Sequence, residues 1–547
     1  MFDFIVVGAG PSGCVVASRI ANTPAAPSVL LLEAGGDNQS AADLSGAERF
    51  NVAFSPGSPY NWNYKTAPQT LLSGQSIDYS RGRGLGGSTA INFCGWTVGS
   101  RDDYDEWAAV VGDDRFGWRN VSQCLRRIER LHSDLPVANM RRYVDPNIKD
   151  HGTTGRLDLS YGESWNNDLS DIFDATEQVG LPLNKDINSG DPIGLGMGPV
   201  CIHRGRRLTA ADAYLRPAPS NLTIMSDTPI AKVLFDGTRA TGVRTVAGTV
   251  HEARREVVIS GGALNTPQIL KLSGIGPSDE LHSHGIGLVR NLPLVGSNLQ
   301  DHCFSALGIA LRPSVSGISG PQSPSPMGWF KLPSLGDTFE SRSLPARVQA
   351  HRLKPTVPDF EVATHTPPLF TGHEPEPDTE FLGAICLVMN PQSRGTVTLQ
   401  SSDPEAAPLI DPKFLSHPFD RRLLIEGMRE TRRILSAPVY AARTVKTYFP
   451  EGDSDEAIWN HIRSNVMSSW HMSGTAKMGR SAKDGCVDSR FRVFGVQSLR
   501  VVDMSVLPFV PNCHTQSTAY IVGEIAGDVL AEDYDLATSP YRDQAKL

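Results

Sequence analysis

The stretch from Phe2 to Gly36 limits the fold more than any other part of the chain. Phe4 to Val7 is a short apolar, β-branched-rich run. Gly8, Gly10 and Gly13 follow it as G-x-G-x-x-G, and Cys14 to Ile20 carries the small residues of a packed helix. Val29 to Leu32 is a second apolar run and ends in Glu33. Strand, glycine turn, helix and strand make a complete βαβ unit. Its glycines serve a tight turn, the approach of backbone to a pyrophosphate, and close helix packing, while the acid can accept both hydroxyls of an adenosine ribose. A carboxylate at Glu33 disfavours a 2′-phosphate, so FAD or NAD is expected rather than NADP.

A chain of 547 residues has room for two or three lobes. With 51 basic against 59 acidic side chains, the net charge of -8 offers no field for a phosphate backbone, and nucleic acid is excluded as a partner. The eight cysteines are scattered without C-x-x-C or metal-ligand spacing, so free buried thiols and no metal are expected. No apolar run approaches the roughly 18 residues of a membrane span, so no membrane partner is expected. The first residues lack a basic leader region and are spent on the nucleotide fold. The chain as it stands reads as cytoplasmic, or extracellular if a leader has been removed. None of these patterns sets the oligomeric state.

Residues 34–80 read as a long aromatic loop, for which lying across an extended cofactor is one reason. Arg81 to Asn92, RGRGLGGSTAIN, supplies closely spaced backbone N-H groups and hydroxyls for a second set of phosphate or flavin-edge contacts. Residues 206–218 read as a polar start, then an amphipathic helix ended by proline, and 221–262 as a run of short strands ending in glycines. Gly261 to Gly276 repeats the opening logic of strand, tight turn and helix, with Thr266 and Pro267 at the expected helix start. Pro293 to His302 is a polar turn that could cross near the cofactor. Residues 305–350, rich in Ser, Pro and Gly, read as a boundary with a mobile lid; strands at Gly383 to Met389 and Gly395 to Gln400 would build a second sheet.

Near the C-terminus an apolar strand runs from Leu499 to Val502 into Asp503, and Thr515 to Leu530 is a helix lined with small residues. His471 and His514 stand at the edges of such elements. Imidazole changes charge near pH 7 without a large shift, which suits a proton acceptor and a hydrogen-bonding partner. Two satisfied structural histidines are the alternative, and no neighbouring acid or thiol completes a metal site.

The joint order of these segments resembles the glucose-methanol-choline (GMC) oxidoreductase family over essentially the whole chain. It rests on GAGPSG with Glu33, RGRGLGGSTAIN, GGALNTPQILKLSGIG, VGSNLQDH, the stretch Arg207 to Leu215, and the His471 and His514 segments. The resemblance implies an α/β fold: a Rossmann-like FAD-binding domain (1–150, 206–304 and 469–547) with a second α+β substrate domain built on an antiparallel sheet (151–205 and 305–468). It also implies a resident FAD, held by Gly8, Gly10, Ser12, Gly13, Glu33, Ala34, Arg83 and Gly87, with Ser88, Asn92, Phe93 and Gly95 near the flavin. Ile230 would meet the adenine, Asp503 the ribityl and pyrophosphate part, and Thr515 and Gln516 the pyrimidine edge.

His471 matches the family's catalytic base and His514 its second active-site residue, a pairing more similar to aryl-alcohol and glucose oxidases than to the His-Asn branch. The expected reaction is oxidation of a small-molecule alcohol, aromatic or polyketide-like, by proton abstraction at His471 and hydride transfer to flavin N5, with oxygen as electron acceptor. Phe93 and Trp470 would line the substrate pocket or simply pack the ring. A dehydrogenase using a quinone or another acceptor, and a non-redox lyase or cyclase that keeps FAD, stay open.

Overall fold

The computed structural model of the protein describes residues 1–38, 44, 49–165, 169–313 and 324–536. The opening unit forms as its residues dictate: strand Phe2–Val7, helix Pro11–Ala21 and strand Val29–Leu32. The two strands pair in parallel, and Phe4, Ile5, Val6, Leu30 and Leu31 are wholly buried. Around them runs a seven-stranded mixed sheet in the order Leu222–Met225, Val29–Leu32, Phe2–Val7, Val250–Ile259, Arg239–Thr245 and Ile230–Asp236, with Leu499–Val501 pairing in parallel to Val250–Ile259. Continuous apolar strands of this kind need cover on both faces. Helices Pro11–Ala21 and Gln516–Asp533 pack together against it, where Ser12 Oγ donates to the Ala519 carbonyl at 2.6 Å.

The glycine turn tolerates no substitution at its first and last glycines. Gly8 has φ 101°, and a Cβ added to Gly13 would lie 1.9 Å from the Gly8 carbonyl oxygen. We expect Gly13→Ala to lower stability by about 3 kcal/mol, because main chain rather than a movable side chain is in the way. Thermal unfolding and the flavin absorbance retained after purification measure this.

A second, antiparallel seven-stranded sheet has the order Thr444–Tyr448, Cys303–Leu311, Glu380–Val388, Phe360–Thr364, Pro326–Phe330 and Gly194–Met197, with Met467–Ser468 also paired to Cys303–Leu311. The α/β architecture with a Rossmann-like domain and a second domain on an antiparallel sheet is therefore present. Two expectations along it need correction. The segment 305–350 is not a lid throughout: Cys303–Leu311, buried along its whole length, and Pro326–Phe330 are strands of this sheet, because their apolar side chains outweigh the Ser/Pro/Gly composition between them. Residues 314–323 of that segment lie outside the described residues. Gly395 to Gln400 does not join the sheet either; Thr396–Thr398 pairs with Leu409–Asp411 in a separate ribbon.

Helix Ala210–Tyr214 follows the polar start at Arg206 as expected, opened by the capping box of Thr209 and Asp212, while Arg206–Arg207 pairs with Ile202–His203. One helix differs from expectation. The helix after Gly261 starts at Gly262, with Pro267 inside it rather than at its start. Proline removes one intrahelical bond, and the Thr475 hydroxyl donates to the Ala263 carbonyl at 2.6 Å. All eight cysteines are free and buried. Among the described residues no helix is long and apolar enough to cross a membrane.

Candidate active site

One elongated cavity of about 720 Å³ runs from the ends of the parallel strands to the face of the antiparallel sheet. Gly8, Gly10, Ser12, Glu33, Ala34, Gly87, Ser88, Asn92, Phe93, Gly95, Ile230, Asp503, Thr515, Gln516, Trp470, His471 and His514 all line it. Chain segments more than 400 residues apart are thus brought to one groove. Gly13 and Arg83 are not on its wall. Gly13 lies against the Gly8 carbonyl; the Arg83 guanidinium sits over the Trp62 ring and donates to the Ala34 carbonyl at 3.3 Å.

At the strand-turn end, helix Pro11–Ala21 begins without a side-chain cap, and a Cβ on Gly10 would meet nothing within 4 Å. Uncapped helix amides facing open space suit a diphosphate. Glu33 is buried, and its carboxylate accepts from the backbone N-H of Ala9 at 2.8 Å, Gly35 at 3.0 Å and Gly84 at 3.0 Å. It therefore ties the first glycine turn to the second, using three of about four acceptor sites and leaving about one for a ribose hydroxyl. Further along, Asp503 accepts from Gly262 N at 3.0 Å, Thr266 Oγ1 at 2.5 Å and Ser505 N at 2.7 Å, fixing the start of the second helix on the groove wall. Asn92 is held by Arg207, whose guanidinium donates to its side-chain and main-chain oxygens at 2.8 and 2.7 Å, and it donates to Gln516. Extended shape, an uncapped helix start and a carboxylate at the far end fit a dinucleotide.

The other end holds the histidines. The His471 and His514 ring centroids are 5.1 Å apart. His471 is 9% exposed; its amide donates to Asp301 at 2.7 Å, and its Nδ1 lies 3.0 Å from His302 Nδ1 and 2.9 Å from Ser469 Oγ. Burial, reinforced by His514, His302 and Arg81, pulls His471 well below the ordinary imidazole value. His514 goes the other way. Burial lowers it, but the Glu361 carboxylate, 2.7 Å from Nε2, more than offsets this and holds it above the ordinary value. Glu361 is wholly buried among the apolar residues of strand Phe360–Thr364. Two titratable groups pushed apart by their surroundings mark an acid and base assignment.

The wall beside them is aromatic. Phe93, 46% exposed, lies 6.0 Å from Trp470 and 6.4 Å from Phe370, and Phe54 meets Trp470 edge-on at 5.7 Å between centroids. Among the described residues no group of three His, Cys, Asp or Glu is placed to hold a metal ion. Sequence reasoning missed Glu361, His302 and Ser469 as neighbours of the histidines. The sequence signal at Glu361 is a carboxylate between Phe360 and Val362, which calls for a partner if the segment is buried but does not name one.

Comparison with known proteins agrees with this geometry. Residues 2–304 and 391–523 match the N-terminal and C-terminal family models described as GMC oxidoreductase. Pyranose dehydrogenase 3 of Leucoagaricus meleagris is 31% identical over 97% of this chain and 93% of its own length. An alcohol dehydrogenase [acceptor] of Pseudomonas putida is 32% identical, covering 98% and 97%. A formate oxidase of Aspergillus oryzae superposes with a TM-score of 0.87 at 27% identity, covering 98% of this chain and 99% of its own. A fungal aryl-alcohol oxidase gives 0.82 at 26% identity, covering 98% and 99%. The aryl-alcohol branch is thus not singled out, since the formate oxidase superposes better. The chain belongs to the GMC oxidoreductase family, and it is an FAD-dependent oxidoreductase.

Proposed function

We propose that the protein oxidises a small alcohol to the aldehyde or ketone. The observation that carries this is the pair of adjacent histidines, 5.1 Å apart between ring centroids, of which one has a buried carboxylate at 2.7 Å and the other has only neutral or cationic neighbours around its ring, so that their surroundings shift them in opposite directions. His471, kept neutral, accepts the hydroxyl proton at Nε2, because its Nδ1 is turned to His302 and Ser469. His514, shifted toward its charged form by Glu361 on Nε2, offers Nδ1 on the side of cavity-lining Gly95 and, when charged, stabilises the oxygen as it becomes an alkoxide. Gly8, Gly10, Ser12 and Gly87 would hold the pyrophosphate of FAD, Glu33 and Ile230 its adenosine, and Asp503, Asn92, Thr515 and Gln516 the ribityl and flavin end. When bound, FAD supplies at N5 the acceptor for the hydride that leaves the carbinol carbon.

Phe54, Phe93, Phe370 and Trp470 give a wall suited to flat apolar substrates, which supports an aromatic or polyketide-like alcohol. Oxygen is the proposed electron acceptor. The second reading, a dehydrogenase with another acceptor, is favoured by the names of two relatives, a pyranose dehydrogenase and an acceptor-dependent alcohol dehydrogenase.

An anaerobic panel of alcohols tests both. Aromatic primary alcohols are expected to bleach the flavin absorbance, and admitting air should restore it within the turnover time. Bleaching with slow return in air would select the dehydrogenase, and a panel without any bleaching would overturn alcohol oxidation altogether.

A further inference from the structure

His471 has two neighbours at one nitrogen, and their own bonds decide which ring nitrogen carries hydrogen. Ser469 Oγ lies 2.7 Å from the His302 carbonyl oxygen, which can only accept. The single hydroxyl proton is therefore spent there. Toward His471 Nδ1, 2.9 Å away, Ser469 Oγ has only a lone pair to offer, so Nδ1 must bring the hydrogen. His302 Nδ1, 3.0 Å from the same nitrogen, must then be bare, since two N-H groups cannot face each other at that distance. That places the hydrogen of His302 on Nε2, a buried atom with no hydrogen-bond partner in a side chain that is 0% exposed.

We infer that Ser469 and His302 are positioning residues that hold neutral His471 as its Nδ1-H tautomer, leaving the lone pair on Nε2, the nitrogen no protein group bonds and the one open to the cavity. As a statement about catalysis this rests on the proposed alcohol oxidation; as a statement about the resting protein it does not. On accepting a hydroxyl proton, Nε2 gains an N-H bond as the substrate O-H bond breaks. The imidazolium then keeps its Nδ1-H shared between Ser469 Oγ and His302 Nδ1. The lone Nε2-H of His302 meets no acceptor, so the proton stays on His471 and is not passed through His302 to solvent. His302 thus orients the base without acting as a proton exit.

The test uses the holoenzyme labelled with 15N-histidine, with no alcohol present. Long-range 1H-15N correlation at pH 7 should show His471 with a protonated Nδ1 and a bare Nε2, and His302 with the opposite pattern. Ser469→Ala should admit the Nε2-H form of His471 and slow anaerobic flavin reduction about tenfold, and Ser469→Thr, which keeps the hydroxyl, should restore the tautomer and bring the rate back to within about threefold. A merely structural role would shift thermal stability and leave the tautomer alone. The Nε2-H form in the unaltered protein, or a Ser469→Ala variant with unchanged tautomer and rate, overturns the assignment. Should the Nδ1-H form be found while no alcohol reduces the flavin, the assignment stands and the alcohol-oxidation reading falls.

Discussion

Replacing His471 with alanine is expected to slow anaerobic flavin reduction by alcohol about 10³-fold, the middle of the range for loss of a positioned general base. The reason is that, of the two histidines that face each other in the cavity, His471 is the one whose surroundings favour the neutral form with a nitrogen toward the cavity; the neighbouring His514 is shifted toward its charged form by Glu361, which leaves it no lone pair to lend when charged. The fold should survive. The bond to Asp301 comes from the His471 main chain, and the Ser469 hydroxyl stays on the His302 carbonyl, so the loop keeps its anchors. His302 Nδ1 loses its partner and Ser469 Oγ loses the N-H it accepts, a cost of about 2 kcal/mol in all. FAD content and thermal unfolding should stay near those of the parent. A reduction rate within tenfold of the parent would remove His471 from the role of base and with it the proton step proposed above.

The parts of this site that could be read from sequence are those where local backbone geometry dictates the residue. Gly8 needs a positive φ and Gly13 has no room for a Cβ, so the turn is written in glycine. The two histidines stood out because imidazole is uncommon and both flank small-residue elements. Glu361 was not legible as a site residue, because its meaning depends on pairing across the chain: the strand Phe360–Thr364 lies between Pro326–Phe330 and Glu380–Val388, and only that register sets it beside His514, 153 positions away. Cys303–Leu311 was lost for the opposite reason, since the Ser/Pro/Gly-rich residues after it coloured a window that begins with a buried strand. Arg83 carried the right chemistry for a phosphate, yet the side chain lies over Trp62 behind the wall, and no spacing rule distinguishes the two directions.

The pair His514 and Glu361 makes the second large prediction, and its sign follows from the opposing shifts. His471 must be neutral to accept a proton, and burial, then His514, His302 and Arg81 around it, all keep its value low; the acid limb of the flavin-reduction rate should therefore lie below the ordinary imidazole range of about 6.5. His514 must be charged to stabilise an alkoxide, and Glu361 keeps its value high, so the alkaline limb should lie above that range. Glu361→Gln keeps the size of the side chain and a hydrogen-bonding group but removes the charge. Burial then acts on His514 unopposed, and the alkaline limb should move to lower pH. At pH 8 the reduction rate should fall about 10²-fold, the scale of one lost oxyanion donor, and the loss should shrink as the pH is lowered and His514 is recharged. The acid limb belongs to His471 and should rise at most partway toward the ordinary imidazole range: removing Glu361 leaves less charge on His514 to hold His471 down, but burial, the first cause of its shift, is unchanged. Stopped-flow reduction between pH 5 and about pH 9 reads both limbs at once. An alkaline limb that stays in place in Glu361→Gln would mean that His514 is not held charged by Glu361, and the assignment of donor and base to these two histidines would have to be reversed or abandoned.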